Sequence, residues 1–206
     1  MLQTGIIGGN VADHISRKKT ISLGAFVFAL GSIIATASNS LGLLIFARCL
    51  AGIGEGLFLS VMGVYITEIS PAHLRGRTVT VTQLFTAGSV AAGFFVCYGS
   101  TKIASSLSWR LPFAINAASS VVLSGLALAC PYSPRWLMIK GRREEAAAVL
   151  EWLAGNVDEG EKRELLAVPP QVAGKRAAFL DIWRADVRGR TILGSMLNGF
   201  QQLSGM

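Results

Sequence analysis

Long stretches of this chain carry no charged residue. Thr20 to Ala47 runs for 28 residues without one, Thr78 to Thr101 for 24 and Leu111 to Pro134 for another 24. A further neutral stretch covers Thr191 to Met206, and Arg48 and Glu55 alone interrupt an apolar region that continues to Thr67. As a helix, 24 residues extend about 36 Å, enough to cross a hydrocarbon layer of about 30 Å with some tilt. The runs predict four complete membrane spans, at about 20–38, 41–67, 78–101 and 110–130, with a partial span at 2–11 and another starting near 191. The expected fold class is an all-α membrane protein.

Composition supports this and removes its competitors. Charged residues make up 15% of the chain, against about a quarter in soluble domains. Hydrophobic residues make up 51%, which excludes a disordered chain. Cys49, Cys97 and Cys130 are scattered through apolar runs, so no disulfide framework is indicated. The short apolar start is not a signal peptide, because its positive charges follow it instead of preceding it.

The net charge of +7 is explained by where the basic residues fall. Sixteen lie at Arg17–Lys19, at Arg75 and Arg77, and between 131 and 190; only Lys102 and Arg110 lie in the alternate gaps. Positive residues collect on the cytoplasmic side of membrane proteins, so the first group marks the inner face. Nucleic-acid binding needs a basic face with base-stacking groups, and none is visible, so no nucleic-acid partner is expected.

Residues 131–190 are soluble in character. Ser133-Pro134 offers an N-cap with proline at the first helical position, and Gly141 ends that short helix. Arg142 to Ala154 reads as an amphipathic helix closing at Gly155, and Asn156 with Glu159 opens another to about Val168. The expected organisation is an N-terminal transmembrane bundle (1–130), a cytoplasmic helical linker (131–190) and the start of a second bundle (191–206).

Four local patterns carry chemistry. Asp13 followed by Arg17-Lys18-Lys19 reads as an inner-face anchor or as a cytoplasmic latch. Arg48, Gly52, Glu55, Gly56, Leu59 and Gly63 fall on one helical stripe, where ionisable groups must face protein or water and glycines permit close helix approach. Glu68 and Arg75 bracket a proline turn, either as solvated charges or as ion pairs holding a face shut. Gln83, Gln201 and Gln202 place carboxamides within apolar spans, where each must find partners. Interhelical hydrogen bonding and a polar cavity for a hydroxyl-rich ligand both fit them. His14 and His73 lack companions at metal-ligand spacing, so neither a metal nor a cofactor is expected, and no nucleophile has the surroundings an enzyme needs.

In order, Gly9, Asp13, Arg17-Lys18, Arg48, Gly52, Gly54, Gly56, Glu68, Pro71, Arg75-Gly76-Arg77, Trp109-Arg110, Pro131-Tyr132-Ser133-Pro134-Arg135-Trp136-Leu137 and Gln201-Gln202-Leu203-Ser204-Gly205 resemble the sugar porter family of the major facilitator superfamily. The resemblance covers essentially the whole chain. It implies a carrier of two six-helix halves working by alternating access, as a facilitator or a proton symporter, with a sugar such as a hexose as its small-molecule partner. It also implies that Gln83, Gln201 and Gln202 line the sugar site. Asp13, Arg17, Arg48, Glu68, Arg75 and Arg135 would form a gating charge network at the cytoplasmic face.

Several positions depart from the family pattern. His14 stands where arginine is usual, Ser16 where glycine is usual, and Tyr132 where glutamate is usual; Glu55 adds a charge to a stripe of small residues. The first helix and most of the second half are missing, so the chain reads as a fragment that does not transport alone. The expected location is the lipid bilayer of the plasma membrane. A sugar sensor on the same fold, or a non-transporting partner subunit, are the alternative readings.

Overall fold

The computed structural model describes residues 11–153, together with Gly189, Ile192, Leu193, Met196 and Phe200, which are helical. Gln201, Gln202, the partial span at 2–11 up to Asn10, and the helix expected between 156 and 168 lie outside the described residues. The chain divides into two units, Met1–Val168 and Pro169–Met206. Among the described residues all regular structure is helical.

After a short helical segment at 11–15, the first unit contains α1 (Arg17–Ala37), α2 (Leu41–Ile69), α3 (Arg75–Thr101), α4 (Leu107–Ala129), α5 (Pro134–Ile139) and α6 (Arg143–Leu153). A single 3-10 turn, Ala72–Leu74, joins α2 to α3. Helices α1 to α4 are each long and apolar enough to cross a membrane. Three of them begin three residues earlier than the expected spans, because their first turns include Arg17–Lys19, Arg75 and Arg77, or Leu107 to Ser108 ahead of Arg110. Long basic side chains reach the membrane surface while their backbone remains helical, so the first charge does not mark the helix end.

Helix α1 lies between α2 and α4 and holds more buried residues than any other described helix. Its contact with α2 is backbone against backbone. A Cβ built on Gly24 would lie 2.8 Å from Phe58 N, and one on Gly31 would lie 2.6 Å from Ala51 N. The face of α2 turned to α1 therefore carries Ala47, Ala51, Gly54, Phe58, Val61 and Tyr65, the buried or partly buried positions. This corrects the expected stripe in part: Gly56 is buried, but Gly52 and Gly63 have open space around them, and Gly54 makes the close approach. Against α4 the fit is polar. The Ser22 hydroxyl donates to the Ser124 carbonyl at 2.9 Å, and the Ser124 hydroxyl donates back to the Ser22 carbonyl at 3.0 Å. Such reciprocal bonds suit an apolar bilayer, where an unpaired hydroxyl has no water to turn to.

By contrast, α3 touches its neighbours lightly, and Ser100 is its one buried residue. Leu84, Phe85, Val90, Phe94 and Phe95 are all exposed along it. In a soluble protein this would be a severe cost, whereas lipid solvates such a surface.

Candidate functional site

At the end of the unit that carries Arg17–Lys19 and Arg75, three chain segments meet around one buried arginine. Ser16 caps α1, its Oγ accepting from Lys19 N at 3.4 Å, and Arg17 follows in the first turn. The Arg17 guanidinium reaches Asp13 Oδ1 at 2.8 Å and Glu68 Oε2 at 3.2 Å, and donates to the Ala12 carbonyl at 3.2 Å. The side chains of Arg17 and Glu68 are only 9% and 7% exposed, while that of Asp13 is 68% exposed. The buried pair is thus Arg17–Glu68, with Asp13 its solvent-facing supplement.

The third segment is the turn before α5. The Ser133 hydroxyl donates to Glu68 Oε2 at 2.6 Å and also accepts from Trp136 N at 3.3 Å, capping α5. Trp136 Nε1 in turn donates to the Asp13 carbonyl at 3.2 Å. One carboxylate therefore ties the end of α2 both to the start of α1 and to the start of α5. The buried Leu137, Met138 and Ala146 beneath Trp136 fix α5 against α6, and Gly141, at φ +78°, turns the chain between them.

A second clasp lies alongside. Lys18 Nζ donates to the carbonyls of Leu128 and Cys130, at 3.3 and 3.0 Å, so a cation terminates α4 where its unpaired carbonyls point. The same ammonium lies 3.9 Å above the Tyr132 ring, which stacks on Trp136 with centroids 5.7 Å apart. Tyr65 on α2 donates to the Pro131 carbonyl at 2.7 Å. The tyrosine at 132 contributes a cation–π contact where the family pattern places a negative charge.

The structure therefore gathers Asp13, Arg17 and Glu68 into one cluster. Arg75 lies at the start of α3 and its Nε donates to the Ser70 carbonyl at 3.3 Å. Arg135 is exposed on α5 and makes no ion pair among the described residues. Arg48 stands apart. It is on α2 with Glu68, but twenty residues earlier, about 30 Å along the helix axis, and its guanidinium lies over the Phe113 ring. It therefore cannot reach the Asp13–Arg17–Glu68 cluster. Gln83 is exposed on α3 and has no hydrogen-bond partner among the described residues. Lys18 was expected within the Asp13–Lys19 pattern but not with carbonyl partners on α4, and Tyr132, Ser133 and Trp136 were not expected as parts of this site; a proline-linked N-cap flanked by two aromatic residues was the available signal.

Ser16 shows why glycine suits its position. Its φ is +134° and ψ is 156°, a region essentially reserved for glycine. The strain costs about 1–3 kcal/mol, whereas replacing a serine cap by glycine loses only a few tenths. Ser16→Gly is therefore expected to raise the unfolding free energy by about 1 kcal/mol. Denaturant titration in detergent micelles checks this, and a loss of stability would contradict the strain assigned to Ser16.

The sequence matches the family described as "Sugar (and other) transporter" over residues 2–206. It is 32% identical to a probable polyol transporter 4 of Arabidopsis thaliana, across 98% of this chain and 39% of that protein. It is 33% identical to the plastidic glucose transporter 4 of the same plant, across 97% of this chain and 36% of the relative. The fold resembles the inward-open xylose transporter XylE of E. coli, with a TM-score of 0.73, 22% identity, and coverage of 98% of this chain and 48% of that one. The chain thus spans about two-fifths of the length of the curated relatives it matches. With its membrane-length helices and this match along nearly its whole length, the chain belongs to the sugar transporter family of the major facilitator superfamily, a family of carriers and not of enzymes.

Proposed function

We propose that this chain forms part of a carrier that moves a neutral polyhydroxylated solute, a monosaccharide such as a hexose or a sugar alcohol, across a membrane by alternating access. The observation that carries this reading is the family match over residues 2–206. No bond is made or broken in such a reaction; the protein's work is to expose one site to each side in turn, with or without a coupled proton.

In this reading residues 1–130 belong to the first bundle, 131–190 to a cytoplasmic linker, and 191–206 begin the second bundle. Gln83, Gln201 and Gln202 face the solute, because a carboxamide offers both donors and an acceptor to hydroxyl groups. Asp13, Arg17 and Glu68 hold the cytoplasmic end closed, assisted by Arg75 and Arg135. The Arg17–Glu68–Ser133 chain of contacts supports this role, since it joins three segments that must move together if the inner face is to open. Arg48 is assigned to the membrane interior, away from that gate. The plasma membrane is the proposed location.

The test is uptake of labelled glucose, xylose and sorbitol by cells lacking their own carriers and expressing the complete product of the gene. Gln202→Ala is expected to lower uptake about tenfold with surface expression retained, the loss expected when hydrogen bonds worth about 1.5 kcal/mol are removed. Unchanged uptake would remove Gln202 from the solute site; absence of uptake for every sugar and polyol would overturn the carrier reading.

A further inference from the structure

At the end of the bundle opposite the arginine cluster, the α1–α2 turn meets the start of α4 around an open cavity of about 350 Å³. Its lining is Ser38, Asn39, Ser40, Leu41, Leu44 and Trp109, on the side that the basic residues mark as non-cytoplasmic. The size falls within the range of small-molecule sites, about 300–1,000 Å³, and so does the chemistry: an apolar wall with a few placed polar groups.

The hydrogen-bond inventory of that lining is lopsided. Asn39 Oδ1 is occupied by Arg110 Nη2, which also donates to the Ser38 carbonyl. The Asn39 amide NH₂ therefore remains to donate. Ser40 Oγ accepts from Leu43 N as the N-cap of α2, leaving its own hydrogen to give. Trp109 Nε1–H has no hydrogen-bond partner among the described residues, although the indole is packed by Phe113 and Arg110. Three donors thus border one cavity, and no charged residue lines it, since the Arg110 guanidinium is turned to the α1–α2 turn. An acceptor-rich neutral molecule with an apolar face fits this set: its oxygens take the three donors, and its C–H face lies against Leu41, Leu44 and the indole.

We propose that this cavity is a binding site for a neutral polyhydroxylated ring or chain at the non-cytoplasmic mouth, separate from the solute site assigned to the glutamines. Its use as a first stop for the transported solute rests on the carrier reading; the binding itself does not.

Saturation-transfer NMR on this chain in lauryldimethylamine oxide micelles, a detergent without a sugar headgroup, tests it with D-glucose and xylitol as probes. Saturation of both probes is expected, falling at least threefold in Asn39→Leu and in Trp109→Phe, and unchanged in Gly63→Ala, whose position has open space around it. Trp109→Phe keeps the ring and removes only the N–H donor, and circular dichroism verifies that each variant retains its helices. Equal saturation in the native chain and in both pocket variants would overturn the proposal, as would absence of saturation in the native chain. Displacement of glucose by an equal concentration of inorganic phosphate would reveal an anion site at Arg110 and overturn it as well. Loss of uptake in Gln202→Ala with this saturation preserved would separate the two sites; saturation without any uptake in cells would sink the carrier reading while leaving the pocket standing.

Discussion

Gly54→Leu is expected to cost about 3 kcal/mol or more and to separate α1 from α2, because the new side chain would grow directly into backbone. A Cβ at position 54 would lie 2.7 Å from the Gly24 carbonyl oxygen and 2.9 Å from Phe28 Cα. Neither atom belongs to a flexible side chain that can swing aside, so the helices must part. Parting them also loosens the reciprocal contacts at Gly24 and Gly31, where any Cβ would approach Gly54 O, Phe58 N and Ala51 N. Membrane helices gain most of their association from such close packing, since lipid tails solvate apolar side chains as well as a partner helix does. Gly63→Ala provides the control. That glycine has nothing within 4 Å of its notional Cβ, so the change is expected to be neutral or to gain up to about 1 kcal/mol from helix propensity. Unfolding in mixed detergent–SDS micelles measures both; equal effects at 54 and 63 would contradict the close approach.

The spans were legible because bilayer solvation demands neutrality over more than twenty residues, and that demand leaves a long one-dimensional record. Local punctuation was legible for the same reason: Ser133-Pro134 and Gly141 start and stop α5 through their own backbone preferences. The starts of α1, α3 and α4 were misplaced by the use of the first charge as a boundary, whereas α2 starts at Leu41 as expected; Ser16 and Ser40 set the starts of α1 and α2 by capping. The glycine stripe on α2 was read from spacing alone. Spacing gives the angle of each residue around its helix but not which angle faces a partner, and the partner chose Gly54 with Ala47 and Ala51. A resemblance says nothing of depth either: it grouped Arg48 with Glu68 although about 30 Å of helix separates them. Glu68 and Arg17 are 51 positions apart, and only the packing of α1 on α2 brings them into contact. Lys18 shows the same limit: its partners are carbonyls on α4, which no side-chain pattern announces.

Arg17→Met is expected to lower the unfolding free energy by about 3–5 kcal/mol, more than any other single change in the Asp13–Arg17–Glu68 cluster. The asymmetry comes from what each deletion leaves behind. Without Arg17, the Glu68 carboxylate, 7% exposed, keeps only the Ser133 hydroxyl as its partner among the described residues. That is a buried charge with half its compensation gone. Without the Glu68 charge, Arg17 still holds Asp13 at 2.8 Å and the Ala12 carbonyl at 3.2 Å, so Glu68→Gln should cost only about 1–2 kcal/mol. Asp13, at 68% exposure, is solvated either way and adds little. The double variant Arg17→Met, Glu68→Gln leaves no buried unpaired charge. It should therefore be more stable than Arg17→Met alone, by about 1–3 kcal/mol, although it carries one substitution more. Additive losses in this cycle would show that the two side chains do not depend on each other. The cluster would then lack the coupling needed for one carboxylate to tie α1, α2 and α5 into a single unit.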